Sequence, residues 1–112
     1  MVRVCVLKGV ARRMLFEVGK VKISSHVLGS AISAQDLIDG FSRYLAGDWG
    51  DVSHLGGLAN DLAITSGSRI MARYTSPQGD VFYITTESQS TEILTLQEVV
   101  ERRFTAVSSA VE

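Results

Sequence analysis

Residues 69–96 read RIMARYTSPQGDVFYITTESQSTEILTL, and this stretch decides the fold. Arg69 to Thr75 and Val81 to Thr86 are rich in β-branched and aromatic residues, which suit a pleated, half-buried surface. Between them, Ser76-Pro77-Gln78-Gly79-Asp80 is a turn, since proline presets φ and glycine supplies a positive φ. A third run, Glu92 to Leu96, follows the polar Ser88-Gln89-Ser90. Short polar connections between such runs make a three-stranded antiparallel meander.

Toward the N-terminus the period changes. Ser33 followed by Asp36 is a helix start, with a hydroxyl to accept from an early N–H and a carboxylate at the positive end. Leu37, Ile38, Phe41 and Leu45 then share one helical face, and Gly47 stops the helix. A second helix runs from about Asp51 or Ser53 to Ser66, with Leu55, Leu58, Leu62, Ala59 and Ala63 expected inward. Gly56 and Gly57 weaken its first turn, and Gly67 ends it. Further upstream, Val2, Val4 and Val6 alternate as in a strand, and Leu15 to Ser24 is again β-like, with Val21 and Ile23 on one face. Gly19 within that run signals a bulge or a close backbone approach. Downstream of Leu96, Val99, Val100, Phe104 and Val107 recur at helical spacing. The expected fold is a single α+β domain over residues 1–112. It has an antiparallel sheet of three to five strands, two central helices on one face and a C-terminal helix, in the order β(β)ααβββα.

With 46% apolar residues in 112, the chain can bury a real core, and its formal net charge of -1 fits neither a strongly basic nucleic-acid binder nor an acidic mimic. Basic patches are local, at Arg12-Arg13 with Lys20 and Lys22, and at Arg102-Arg103. Cys5 is the sole cysteine, so an internal disulfide is excluded and a reducing, cytoplasmic setting is expected. Arg3 and Lys8 interrupt the apolar N-terminus, which argues against a signal peptide, and no run approaches a membrane span.

Gly47-Asp48-Trp49-Gly50-Asp51 places the single tryptophan between two carboxylates and two glycines at a helix end. Ala59-Asn60-Asp61 follows, then Gly67-Ser68-Arg69 leading to Tyr74, then Tyr83-Ile84 and Thr86-Glu87. In this order the boxes resemble the "plasmid-related protein" family of small proteins carried on plasmids, phages and integrative elements. Its pattern is a GDWG(D/E) box, an AND box, a Gly-Arg-apolar stretch ending in Tyr, and an aromatic strand ending in Thr-Glu. The resemblance covers about residues 16–96, leaving 1–14 and 97–112 as extensions. Two stretches depart from it. Ser53-His54-Leu55-Gly56-Gly57-Leu58 replaces an acidic-basic helix start, and Ser88-Gln89-Ser90-Thr91 replaces a stretch with an acidic-basic pair. The resemblance implies a mobile-element setting and no particular enzymatic activity.

Each candidate residue has a structural and a functional reading. Trp49 is either a plug between helices and sheet or a stacking surface, with Asp48 and Asp51 accepting from local N–H groups or from a basic partner. Asn60 and Asp61 sit in mid-helix, where neither is intrinsically favoured, so a lock by one of them onto a loop carbonyl or N–H is the first reading, ahead of ligand contact. Arg69 is placed either to pair with Asp48 or Asp61 or to stand exposed as a contact residue. Tyr74 and Tyr83 belong to a half-buried sheet face under the helices or, if they share a face, form an aromatic platform for nucleic acid. Glu87 closes the aromatic strand. His26 and His54 lack ligand spacing, and no phosphate loop, CxxC pair or HExxH appears, so no metal, cofactor or catalytic group is assigned.

The expected function is therefore non-catalytic: an anti-defence, anti-CRISPR-like protein that contacts a host or defence-system protein through Asp48, Trp49, Asp51, Asn60, Asp61 and Arg69. The alternative is a nucleic-acid-binding module built on the sheet aromatics, and the third reading is a metal- or carboxylate-dependent enzyme at Asp48 and Asp51. The amphipathic C-terminal helix is the expected homodimer seam if it does not pack on its own sheet. No membrane contact is expected.

Overall fold

The computed structural model describes Phe16 and residues 18–102, together with the backbone of residues 6–7 and 10–11. Cys5, Arg12, Arg13, Arg103, Phe104 and Val107 lie outside the described residues, as does the alternation of Val2 and Val4.

The fold is α+β. Two short strands, β1 (Val6–Leu7) and β2 (Val10–Ala11), pair with each other antiparallel. β3 (Lys20–Ile23) leads into the one-turn helix α1 (Ser25–Leu28), which sequence reasoning did not anticipate. Helices α2 (Ala34–Leu45) and α3 (His54–Ser66) follow, then β4 (Ile70–Thr75), β5 (Val81–Glu87) and β6 (Ser90–Thr95). A last helix, α4, occupies residues 96–102 of the described chain. The expected meander is present to within one or two residues at each strand end.

The sheet corrects one expectation: it is mixed, with strand order β3-β6-β5-β4, and β3 runs parallel to β6. The chain leaves β3, crosses through the helices and re-enters at the far edge in β4. A meander of three strands then returns to β3 with its last strand pointing the same way. β3 is an exposed edge, and Lys20 and Lys22 on it discourage pairing with another chain.

Ser33 caps α2 as its sequence signal predicts, and of the two starts left open for α3, Asp51 and Ser53, it is Ser53 that caps. Ser33 accepts from the Asp36 N–H at 3.1 Å, and Ser53 accepts from the Gly56 N–H at 3.0 Å. Thr95 and Glu98 form a reciprocal capping box for α4: Glu98 N–H donates to Thr95 Oγ1, and Thr95 N–H donates to Glu98 Oε1. The inward faces differ from expectation. On α2 the buried positions are Gly40 and Tyr44, with Leu37, Phe41 and Leu45 packed beside them, whereas Ile38 is exposed. Gly40 lies under the Phe82 ring, so the helix approaches the sheet closely there. On α3 the inward positions are Asn60 and Ala63, with Ile64 beside them; Leu55, Leu58, Leu62 and Ala59 all face out. The expected leucine face is thus the outer one, because small residues and an amide let α3 lie close along β4.

Tyr44, Trp49, Tyr74, Phe82, Ile84 and Ile93 form the centre of the core between the helices and the sheet. A buried relay crosses it: Tyr44 Oη donates to Thr86 Oγ1 at 2.7 Å, and Thr91 Oγ1 donates to the Val18 carbonyl at 2.7 Å. Each hydroxyl has one proton, so the 2.7 Å bond between the threonines has Thr86 as donor. Burial pushes the Tyr44 phenol well above its ordinary pKa. α4 departs from the one-faced arrangement. Arg102 bonds Glu92 at 2.9 Å, tying α4 to the sheet face opposite α2 and α3, where Leu94 is also buried.

Candidate functional site

The GDWGD corner begins as a helix stop. Gly47 N–H donates to the Tyr44 carbonyl and Asp48 N–H to the Arg43 carbonyl, the paired bonds of a Schellman motif. The chain then turns along the free edge of β4. Alternate residues of an edge strand direct their N–H and C=O away from the sheet, here those of Met71 and Arg73. Arg73 N–H donates to the Trp49 carbonyl at 3.1 Å, and Asp51 N–H donates to the Arg73 carbonyl at 2.7 Å. One step along the strand, Asn60 does the same with its side chain: Nδ2 donates to the Met71 carbonyl at 2.8 Å, and Oδ1 accepts from Met71 N–H at 3.1 Å. The two boxes therefore close one strand edge between them. Gly50 is at the crossing point, with φ of +73°, and an added Cβ would run into the Arg73 carbonyl. Only glycine fits that approach.

The side chains of the corner are held as well. Trp49 is 6% exposed, packs against Tyr44 and Phe16, and donates from Nε1 to Asp61 Oδ1 at 2.9 Å. Asp48 takes two bonds from Arg43, at 2.7 and 3.2 Å, and one from Gly50 N–H. Those bonds from Arg43 hold its carboxyl below the usual carboxylate range, with the Gly50 N–H adding to them, and the same pair raises Arg43. Asp51 accepts from Thr75 Oγ1 at 2.8 Å. Tyr74 Oη donates to the Asp48 carbonyl at 2.7 Å, and burial, with the Asp48 charge second, pushes its phenol up. Trp49 is thus buried in the core, Asp61 holds the corner through the Trp49 indole, and Asn60 locks a strand, β4, instead of a loop.

Of the two readings of Arg69 the exposed one holds, and the tyrosines do not share a face. Asp48 is partnered by Arg43, and Asp61 by Trp49, so Arg69 has neither as its partner. It precedes β4, exposed, at the end where Ile70 pairs with Thr86, and Glu87 is at that same end. Tyr74 and Tyr83 occupy opposite sheet faces, because Tyr74 pairs with Phe82 and its neighbour Arg73 pairs with Tyr83. With a two-residue period, an odd separation in register cannot share a face. Tyr74 is buried beneath α2, while the Arg73 guanidinium lies 6.0 Å from the Tyr83 ring centroid. The stacking platform is therefore not formed. Among the described residues, no group of three or more His, Cys, Asp or Glu side chains is placed to hold a metal ion.

Beside the corner is an open cleft of about 220 Å³, lined by Asp36, Asp39, Gly40, Arg43, Tyr74, Thr75, Ser76, Pro77 and Phe82. α2 forms one wall and the β4–β5 turn the other. Two bonds close the turn: Ser76 N–H donates to the Asp80 carbonyl at 2.7 Å, and Ser76 Oγ accepts from Asp80 N–H at 3.0 Å. Arg43 lies 5.1 Å from the centre of the Tyr74 ring, its charge already matched by Asp48. Asp39 accepts from the neutral Gln35 amide at 2.8 Å. The cleft therefore presents two carboxylates beside apolar side chains. Sequence reasoning used Asp36 only as a helix start and passed over Asp39 and Arg43. Their i, i+3, i+7 spacing on α2 was the available signal.

Comparison with protein-family models, with curated proteins and with solved structures gives no match to this chain. No helix among the described residues is long and apolar enough to cross a membrane.

Proposed function

We propose that this chain is a non-catalytic binding protein that works by protein–protein contact, and that the cleft beside the GDWGD corner takes a basic side chain of its partner. The observation that carries this is the cleft's lining: Asp36 and Asp39 on the α2 wall, Pro77 on the facing turn, Tyr74 and Phe82 between them, and Arg43 neutralised by Asp48. A lysine or arginine suits such a site, since its aliphatic stem can lie on apolar surface while the cation reaches carboxylates. GDWGD contributes by shaping the wall: Asp48 fixes Arg43 and Tyr74, and Asp51 fixes Thr75. The carboxylates of the corner are committed to these bonds, which argues against their use as a general acid and base. The resemblance of the boxes to a mobile-element family supports a host or defence-system protein as partner, and with it an anti-defence, anti-CRISPR-like role in the cytoplasm.

The test is capture of a partner from a host lysate by the tagged chain, compared with Asp36→Asn/Asp39→Asn. The expected result is a stoichiometric protein partner with the parent and at least tenfold weaker capture with the double variant, at unchanged melting temperature. Recovery of no stoichiometric partner, or equal capture by the double variant, removes the reading.

A further inference from the structure

The two edges of the four-stranded sheet are finished differently. On β4 the outward N–H and C=O groups of Met71 and Arg73 are taken by Asn60, Trp49 and Asp51. On β3 the bonds to β6 are bracketed by Lys20 N–H to the Gln89 carbonyl, at 3.2 Å, and Ser24 N–H to the Ile93 carbonyl, at 3.1 Å. In a parallel pair a residue turns both of its backbone groups to the same neighbour, and the next residue turns both away. Lys20, Lys22 and Ser24 therefore face β6, while Val21 and Ile23 direct their N–H and C=O groups out of the sheet. No backbone bond from the described residues reaches those outward groups.

We propose that this edge takes an extended segment of a partner protein as an added strand, one in which acidic side chains alternate with apolar ones. The outward backbone groups suit a main chain, since alternating donors and acceptors are what a strand supplies. The side chains beside them select which strand. Val21 and Ile23 share the core face with Thr91 and Ile93, yet are 44% and 41% exposed. Lys20 and Lys22 share the opposite face with Ser90 and Glu92. Neither lysine has an ion pair among the described residues. Glu92, level with Lys22, already takes two bonds from Arg102, at 2.9 and 3.3 Å. A strand laid along Val21 and Ile23 thus meets apolar surface on one face and two uncommitted cations on the other. Carboxylates at alternate positions match those cations across the strand pair. The lysines that keep neutral strands off the edge thereby admit an acidic one. A second copy of the chain does not fit, because pairing β3 with itself brings lysine against lysine on one face.

The acidic cleft has no lining residue from β3, so this contact and the one proposed for the cleft can fail independently.

Amide NMR of the full chain, titrated at low salt with a capped peptide of alternating glutamate and valine, tests the proposal. The expected result is a set of shifts confined to β3 and its neighbours, with the Val21 and Ile23 amides gaining protection from exchange. Half-saturation is expected at roughly 0.1–1 mM peptide, as weak as a four-residue edge implies. Lys20→Glu/Lys22→Glu should weaken this peptide at least tenfold and bind a lysine–valine peptide instead, with the melting temperature reporting that the variant is folded. The fully N-methylated glutamate–valine peptide has the same charges but no N–H donors, and should not bind. Asp36→Asn/Asp39→Asn should bind as the parent does. Absence of shifts up to about 2 mM peptide overturns the proposal. Equal binding of the N-methylated peptide overturns it as well, leaving only charge attraction. Shifts in residues 20–24 that follow protein concentration without peptide overturn it in favour of a second copy.

Discussion

At the scale of single residues, Asn60 does what no propensity asks of a mid-helix asparagine. Its amide presents one donor and one acceptor with the spacing of a peptide group, and so pairs with Met71 as a strand would. Asn60→Ala leaves the Met71 N–H and C=O without partners in a half-buried place. The expected cost is about 2–4 kcal/mol, measured by urea unfolding. Gly50 is constrained by backbone alone. Gly50→Ala puts a Cβ into the Arg73 carbonyl at a positive φ, and is expected to cost about 2 kcal/mol or more in the same assay. A neighbouring residue predicts less. Asp61→Asn keeps an acceptor for the Trp49 indole, so its loss should stay below about 1 kcal/mol, whereas Asp61→Ala should exceed it. The position of the boxes was legible in the sequence. Their bonding was not, because Met71 and Arg73 are far from them along the chain.

At the scale of elements, the β5–β6 connection is a two-residue turn in which Ser88 and Gln89 both have positive φ, 52° and 61°. Such a turn matches the twist of the strands it joins, but it suits Asn-Gly rather than Ser-Gln. The double change Ser88→Asn/Gln89→Gly is expected to raise stability by about 1 kcal/mol, seen as a melting temperature higher by a few degrees. The sequence marked this segment as polar and connecting; the backbone conformation was invisible, since neither residue advertises it. The helices show the converse. Ser33, Ser53 and the Thr95–Glu98 box set helix starts from local chemistry; the second was one of two candidates with Asp51, and the first was readable at once. Which side of each helix faced inward was not. Periodicity ranks α3's leucine side above its Gly-Asn-Ala side, yet the edge of β4 demands the small and amide-bearing side.

At the scale of the whole molecule, three carboxyls tie separate parts together and set the acid response. Burial alone would raise Glu98, but bonds from Thr95 N–H, Ser24, Thr95 Oγ1 and His26 outweigh it, and its pKa is lowered. Glu92 is lowered chiefly by Arg102, and Asp48 by Arg43. A depressed folded pKa contributes stability that is complete above the ordinary carboxylate value of about 4 and is lost as pH falls through the folded value. Stability should therefore be flat near neutrality and fall below about pH 4, with Glu98→Gln showing a shallower acid limb in pH-dependent melting. The Asp48–Arg43 pair is half exposed and adds only about 0–1 kcal/mol. The sequence by itself determined the meander, the start of α2, the stops of α2 and α3, and the α+β class, because those follow from composition and from contacts a few residues apart. Tertiary structure alone decided that β3 joins the meander in parallel, that Tyr74 and Tyr83 part to opposite faces, and that α3 turns its leucines outward. It also decided what GDWGD is for. Its glycines and backbone close the edge of β4, a requirement that arises only once a strand more than twenty residues away has been laid beside them.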